Sequence, residues 1–278
     1  MSLSPNIRWA VPSVSLGKHS SHTLERKISA AAGNGFNGIE IVFNELIQHA
    51  RNHDQTPVAS AAQINSLCQI HSITILSVNA LKNFEEVALA LALGTRIIQV
   101  PSMFLPDSTS GEDIIISELQ ALADLAAKHD LEIAYAAVAF AKHNPLWQDS
   151  LRITKAVNRP NFRICLDSYH ILGKLWGDAC AEDGRIAGGD ETVAKSMVEF
   201  LKSCPKELVA YIQLSDASRW QPPLSMNDPA FNELEVEDAR LLWSRVARPF
   251  PFEAPGYFPV ADIAKIWLAE YGWDGWVS

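Results

Sequence analysis

Cysteine is scarce in this chain, and its four copies, Cys68, Cys165, Cys180 and Cys204, stand far apart with no C-x-x-C pair. That spacing excludes a disulfide framework and a zinc knuckle, and predicts four buried structural thiols. Runs of lysine or arginine are absent too, and the net charge is −9. No electrostatic footprint for nucleic acid or an anionic membrane surface follows, so a small soluble partner is expected. No stretch approaches the roughly 20 apolar residues of a membrane span. The opening Met1-Ser2-Leu3-Ser4-Pro5-Asn6-Ile7-Arg8 lacks a basic segment followed by an apolar one, so a cytoplasmic location is expected. Neither G-x-G-x-x-G nor a Walker motif occurs, and no nucleotide cofactor is expected.

What is present is 278 residues, 48% of them hydrophobic and 20% charged, the size of a single TIM-barrel domain over 1–278. Short Val- and Ile-rich runs alternate with stretches of helical period, as in parallel strands covered by crossover helices. Eight strands are predicted: Ile7 to Val14, Gly38 to Phe43, Thr74 to Ala80, Ile97 to Ser102, Glu132 to Val138, Phe162 to His170, Val209 to Ala217 and a shortened eighth, Gly275 to Ser278. Helices are predicted from Gly111 to about Asp130, with Ile114, Leu119, Leu122, Leu125 and Ala126 as the apolar stripe, from Thr192 to Cys204, and from the Thr56-Pro57 cap onward. Eight βα units make an α/β fold of the (β/α)8 TIM-barrel class. The Pro-, Asn- and Asp-rich stretch from Ser218 to Glu237 suits a lid over the C-terminal mouth.

Alternation in the sixth strand turns Arg163, Cys165 and Asp167 toward the barrel axis, with Asp167 at the catalytic end. A buried acid there points to a functional role or to a structural salt bridge. His170 reaches the mouth only if the strand ends near Asp167, which an early loop at Gly173 would permit; it reads as a general base or a hydrogen-bonded loop histidine. Tyr211 and Gln213 project inward from the seventh strand, where an amide oxygen can serve a hard cation or a structural bond. Glu40 faces inward from the second strand, with Arg163 as its expected partner. His143 follows the fifth strand in a loop at the catalytic end. Arg219, Arg245 and Arg248 lie in or after the lid, and an anionic substrate would need one of them.

Several blocks together resemble the fungal-type 3-dehydroshikimate dehydratases of the sugar phosphate isomerase/epimerase superfamily, whose barrel is xylose-isomerase-like. The likeness rests on Pro12-Ser13-Val14-Ser15-Leu16-Gly17, Gly35-Phe36-Asn37-Gly38-Ile39-Glu40, Gln99-Val100-Pro101-Ser102, Cys165-Leu166-Asp167-Ser168-Tyr169-His170, Ile212-Gln213-Leu214-Ser215, Arg248-Pro249-Phe250-Pro251-Phe252-Glu253 and Gly275-Trp276-Val277-Ser278. The resemblance implies a divalent metal (Mg, Mn or Co) held by four side chains, of which Asp167 and Gln213 match two. Ala136 stands where the family has a glutamate, and the family's closing Val-Ser-Leu-Glu is matched only as far as Ser278. With two carboxylates missing, metal binding is expected to be weak unless Glu40 or Glu253 substitutes.

The resemblance further implies that a histidine matching His170 removes a proton beside the ketone of 3-dehydroshikimate, with His143 assisting the leaving hydroxyl and Glu40, Tyr211, Arg219 and Arg248 binding substrate. The first expectation is accordingly a dehydratase-type lyase acting on a small oxygenated cyclic acid or ketone. Two others stand beside it: a metal-independent isomerase, epimerase or cyclase, and a catalytically silent small-molecule-binding barrel. An unpaired eighth-strand edge would accept a second copy, which makes a homodimer a further expectation.

Overall fold

The computed structural model describes residues 4–79, 86–234 and 236–278. Met1 to Leu3, Ala80 at the expected end of the third strand, and Glu235 in the expected lid lie outside them.

Eight parallel strands close a barrel in sequence order: β1 (Arg8–Pro12), β2 (Gly38–Val42), β3 (Thr74–Asn79), β4 (Ile97–Pro101), β5 (Glu132–Ala136), β6 (Phe162–Asp167), β7 (Val209–Gln213) and β8 (Trp276–Val277). Each predicted strand is found, most of them one to four residues shorter at the C-terminal end, where the chain turns away to build the mouth. Closure is complete even at the two-residue β8: Arg8 and Trp9 pair with Trp276 and Val277, and Val277 pairs with Ile212 on the other side. The unpaired eighth-strand edge invoked for a homodimer is therefore not formed.

Around the barrel lie α1 (Leu24–Gly33), α2 (Phe43–Asn52), α3 (Pro57–Ile70), α4 (Glu86–Leu93), α5 (Glu112–Ala127), α6 (Trp147–Val157), α7 (Ser168–Leu175), α8 (Gly189–Ser203), α9 (Ala230–Glu233), α10 (Ala239–Val246) and α11 (Val260–Lys265). The Thr56 hydroxyl accepts from the Ala59 amide and starts α3 as expected, with Pro57 in its first turn. In α5 the stripe holds at Leu122 and Ala126, but Ile114 is exposed, because the first turn precedes the contact with the sheet.

Alternation sorts the strand residues as the sequence predicts. Ile164 and Leu166 pack outward under the helices, while Cys165 joins Ala10, Ala134, Ala136, Tyr211 and Trp276 inside; Ala210, which strict alternation turns outward with Ile212, clusters there too, at the register shift between Ile164 and Cys165. Small residues dominate this interior because Trp276 fills much of it: a Cβ on Gly38 would come within 2.8 Å of its ring. Arg8 lies over the same ring at 4.2 Å. Cys68, Cys165 and Cys204 are buried as expected; Cys180 is exposed, on a turn after Asp178.

The expected lid is corrected. Ser218 to Glu237 contains α9 and buries Leu224, Phe231 and Val236 in the main core, so it packs on the flank of the barrel. Of its described residues only Leu234 lines the mouth cavity, which is walled instead by Ser244 to Phe252.

Candidate active site

Asp167 ends β6 and caps α7: its Oδ1 accepts from the Tyr169 amide at 2.8 Å and from the Ser215 hydroxyl at 2.6 Å. Its Oδ2 lies 2.7 Å from Arg248 Nη2 and 3.7 Å from His170 Nε2. Arg248 also donates to Ser215 and stacks 4.4 Å over the Tyr169 ring. Burial alone would raise the Asp167 pKa, but Arg248, then His170 and Ser215, hold it below the usual carboxylate range.

The strand ends at Asp167 as the mouth reading of His170 requires, but a helix follows in place of the expected early loop. His170 lies on the first turn of α7, buried at the cavity edge. Its Nδ1 accepts from the Ala139 amide at 3.3 Å, which leaves the proton on Nε2, facing Asp167. Burial pushes its pKa down to about 4, Asp167 opposing and Arg248 adding to the shift. At neutral pH His170 is thus an uncharged hydrogen-bond donor, which corrects the expectation of a base tuned near pH 7.

Beneath the cavity floor a second network fixes the barrel's polar interior. Glu40 is fully buried and pairs not with Arg163 but with Ser77 (2.8 Å), Asn79 (3.0 Å), Tyr211 (2.8 Å) and Gln213 (2.8 Å). Arg163, lower in the barrel, binds Glu132 at 3.2 Å. Gln213 gives its amide to Glu40 and accepts from Gln99 at 3.1 Å. Burial, then Cys165 and Glu40, raise the Tyr211 phenol well above its ordinary range, so it stays a donor.

A cavity of about 1140 Å³ opens above this floor, lined by Asp167, His170, Gln213, Arg248, Ala136 and Lys18 among others. The Lys18 ammonium donates to the Arg245 carbonyl, and burial, then Arg248, lower its pKa. Four expected site residues are not brought there: Glu40 and Tyr211, expected to bind substrate, lie in the buried network below the floor and do not line the cavity. His143 is exposed, beside the Ser108 carbonyl, and Arg219 reaches the Glu182 carbonyl outside the cavity. Sequence reasoning missed Lys18 and Gln99; the Ile98-Gln99-Val100 alternation in β4 was the available signal for the latter.

A family model described as xylose isomerase-like TIM barrel matches residues 28–278. The chain belongs to that family. Within the family it is 30% identical to a 3-dehydroshikimate dehydratase from Neurospora crassa, covering 98% of this chain and 85% of that protein. Among solved structures, a xylose isomerase-like TIM barrel/4-hydroxyphenylpyruvate dioxygenase fusion protein superposes with a TM-score of 0.73 at 24% identity, over 98% of this chain and 38% of the fusion. The IolI protein with a binding zinc atom does so at 0.62 and 15% identity, over 97% of this chain and 87% of that one. At those identities the two structures bear on the fold.

The metal that the resemblance implies can be tested against these side chains. Ala136 offers no donor atom. Both Asp167 oxygens and the Gln213 oxygen already face protein donors, and Arg248 supplies the positive charge beside the carboxylate. Glu40 is sealed by four donors, and Glu253 is exposed outside the cavity lining. Among the described residues the cavity lining offers a single side-chain carboxylate, already paired, and the neutral amides of Asn79, Gln99 and Gln213, too little negative charge to fit a hard divalent cation. No membrane-length apolar helix is present among the described residues.

Proposed function

We propose that this chain is a lyase of the 3-dehydroshikimate dehydratase type, which takes a small oxygenated cyclic acid into the barrel mouth and eliminates water. The observation that carries the reading is the convergence of Arg248, Lys18 and neutral His170 on one cavity. Two cations suit a substrate carboxylate. The Nε2–H of His170 then donates to a ketone oxygen where enolate charge develops as the neighbouring C–H proton passes to solvent water in the open cavity, the C–H electron pair moving into the enolate, and an uncharged imidazole gives up no proton of its own in doing so. The adjacent hydroxyl then leaves, taking a proton from solvent to depart as water, and tautomerisation of the resulting dienone completes the change from 3-dehydroshikimate to protocatechuate. Asp167 holds Arg248 and Ser215 in place throughout.

The test is protocatechuate formation from 3-dehydroshikimate, followed in excess chelator and again with Mn²⁺, Co²⁺ or Mg²⁺. Turnover that persists in chelator supports this arrangement. Turnover only with metal overturns the metal-free reading of the mouth, and none in any condition overturns the dehydratase reading. Ala136 in place of a carboxylate favours one second reading, a barrel that binds such acids without transforming them; it predicts a raised melting temperature with 3-dehydroshikimate and no product.

A further inference from the structure

A second cluster of titratable side chains lies away from the mouth cavity, on the outer helices. His49 and His53 are four apart on and just after α2, so one helical face carries both imidazoles. Glu25, in the first turn of α1, reaches across to them. Its Oε1 lies 3.0 Å from His49 Nε2 and 3.5 Å from His53 Nε2, and the three ligand atoms all fall within 4.8 Å of one another. A tetrahedral zinc with bonds of ~2.0–2.1 Å spaces its ligands roughly 3.3–3.5 Å apart.

The far nitrogens decide how these rings are set. His53 Nδ1 lies 2.9 Å from the His49 carbonyl oxygen, which can only accept, so Nδ1 carries a proton and Nε2 is the ring atom turned toward the Glu25 carboxylate. His49 Nδ1 lies 2.7 Å from the Ser60 hydroxyl on α3, a partner able to accept in the same way. Two Nε2 atoms oriented by outer partners and converging on a carboxylate is the arrangement that metal-bound histidines share. Glu25 Oε2 is buried without a hydrogen-bond partner among the described residues. His53, 40% exposed, leaves the cluster open to solvent on one side.

The geometry points to Glu25, His49 and His53 as a site for a divalent transition metal of the zinc, cobalt or nickel kind, with a fourth position open to water. Imidazole and carboxylate donors suit those ions over magnesium or calcium. A metal there would clip α1 to α2 beside α3 and act on stability, not on the mouth chemistry.

The full chain, stripped with chelator and dialysed, is titrated with Co²⁺ and Zn²⁺ by calorimetry, visible absorption and thermal unfolding. The expected result is one equivalent of bound metal, a d–d absorption band with Co²⁺ and a raised melting temperature. His53→Ala and Glu25→Gln, both at partly exposed positions, should each weaken binding by at least roughly 10–100-fold, while Asp167→Asn leaves it unchanged. No uptake by the unaltered chain overturns the site. So does uptake that survives His53→Ala and Glu25→Gln, or that Asp167→Asn abolishes. Because stoichiometry and spectrum are read without substrate, this outcome is independent of the dehydratase assay.

Discussion

The Arg248 guanidinium lies 2.7 Å from the Asp167 carboxylate, so a side chain supplies the positive charge that the family resemblance assigns to a metal. Asp167 is almost fully buried and Arg248 about a quarter exposed. Removing the arginine leaves an uncompensated buried charge, whereas removing both partners does not.

Arg248→Ala should therefore destabilise the chain by on the order of 3 kcal/mol at pH 7, and Asp167→Asn with Arg248→Ala by less than the sum of the two single changes. The pH dependence should differ in sign. In the unaltered chain Asp167 titrates below its unfolded value of about 3.9, so its contribution is present above pH 4 and fades as pH falls further. Without Arg248 burial is the dominant influence and raises the pKa, so stability should recover as pH falls from that raised value toward about 3.9, a window above the one of the unaltered chain. Urea unfolding of the unaltered chain and the three variants at pH 7, 5, 4 and 3 checks both.

His170 gives a second pH test. Its folded pKa, about 4, lies below the ordinary 6.5, so the folded state prefers the neutral ring. Its contribution is fully present above pH 6.5 and is lost as pH falls from there toward 4, because the unfolded chain takes up the proton first. The ring's C2 proton resonance should stay constant through pH 6.5 and move only near pH 4. His170→Gln should remove that part of the stability slope and lower kcat more than it raises KM, since the donor acts where charge develops.

Much of this was legible in the sequence, for identifiable reasons. Strand alternation has a period of two and the interior is narrow, so Asp167, Gln213, Tyr211 and Glu40 could be turned inward from their neighbours alone. Pairing across the barrel was not legible. Glu40 meets donors from β3 and β7, up to 173 residues away, and nothing local distinguishes those from Arg163. His143 failed for a related reason: a loop's position in the chain places it at the mouth end but does not aim its side chain. Arg248 and Arg219 were equal candidates as arginines, and only the closure of the chain after α10 selects the first.

Glu40→Gln should show what the lower network is worth. The substitution puts an amide NH₂ among four groups that donate to Glu40 now, leaving at least one buried donor unpaired. A loss of about 1–3 kcal/mol is expected by urea unfolding. Gln213, no longer held through its amide, should then loosen its bond to Gln99. His143→Ala, by contrast, should leave turnover within twofold of the unaltered chain, since the exposed imidazole lies outside the cavity.

Ala136→Glu restores the donor that the dehydratase resemblance expects on β5, at a cavity position 3% exposed. If one missing carboxylate is what unfits the mouth for a metal, the variant should be less stable than its parent in chelator, by several kcal/mol, because the new buried charge has no partner in a cavity that already holds the Asp167 carboxylate. Mn²⁺ or Co²⁺ should then raise its melting temperature well above any rise in the parent, and the difference should survive His53→Ala, which separates the mouth from the outer cluster. Equal responses in parent and variant would mean that Arg248 holds Asp167 too tightly for a cation to compete. In that case adding Arg248→Met to Ala136→Glu should release the carboxylate and bring the metal response back.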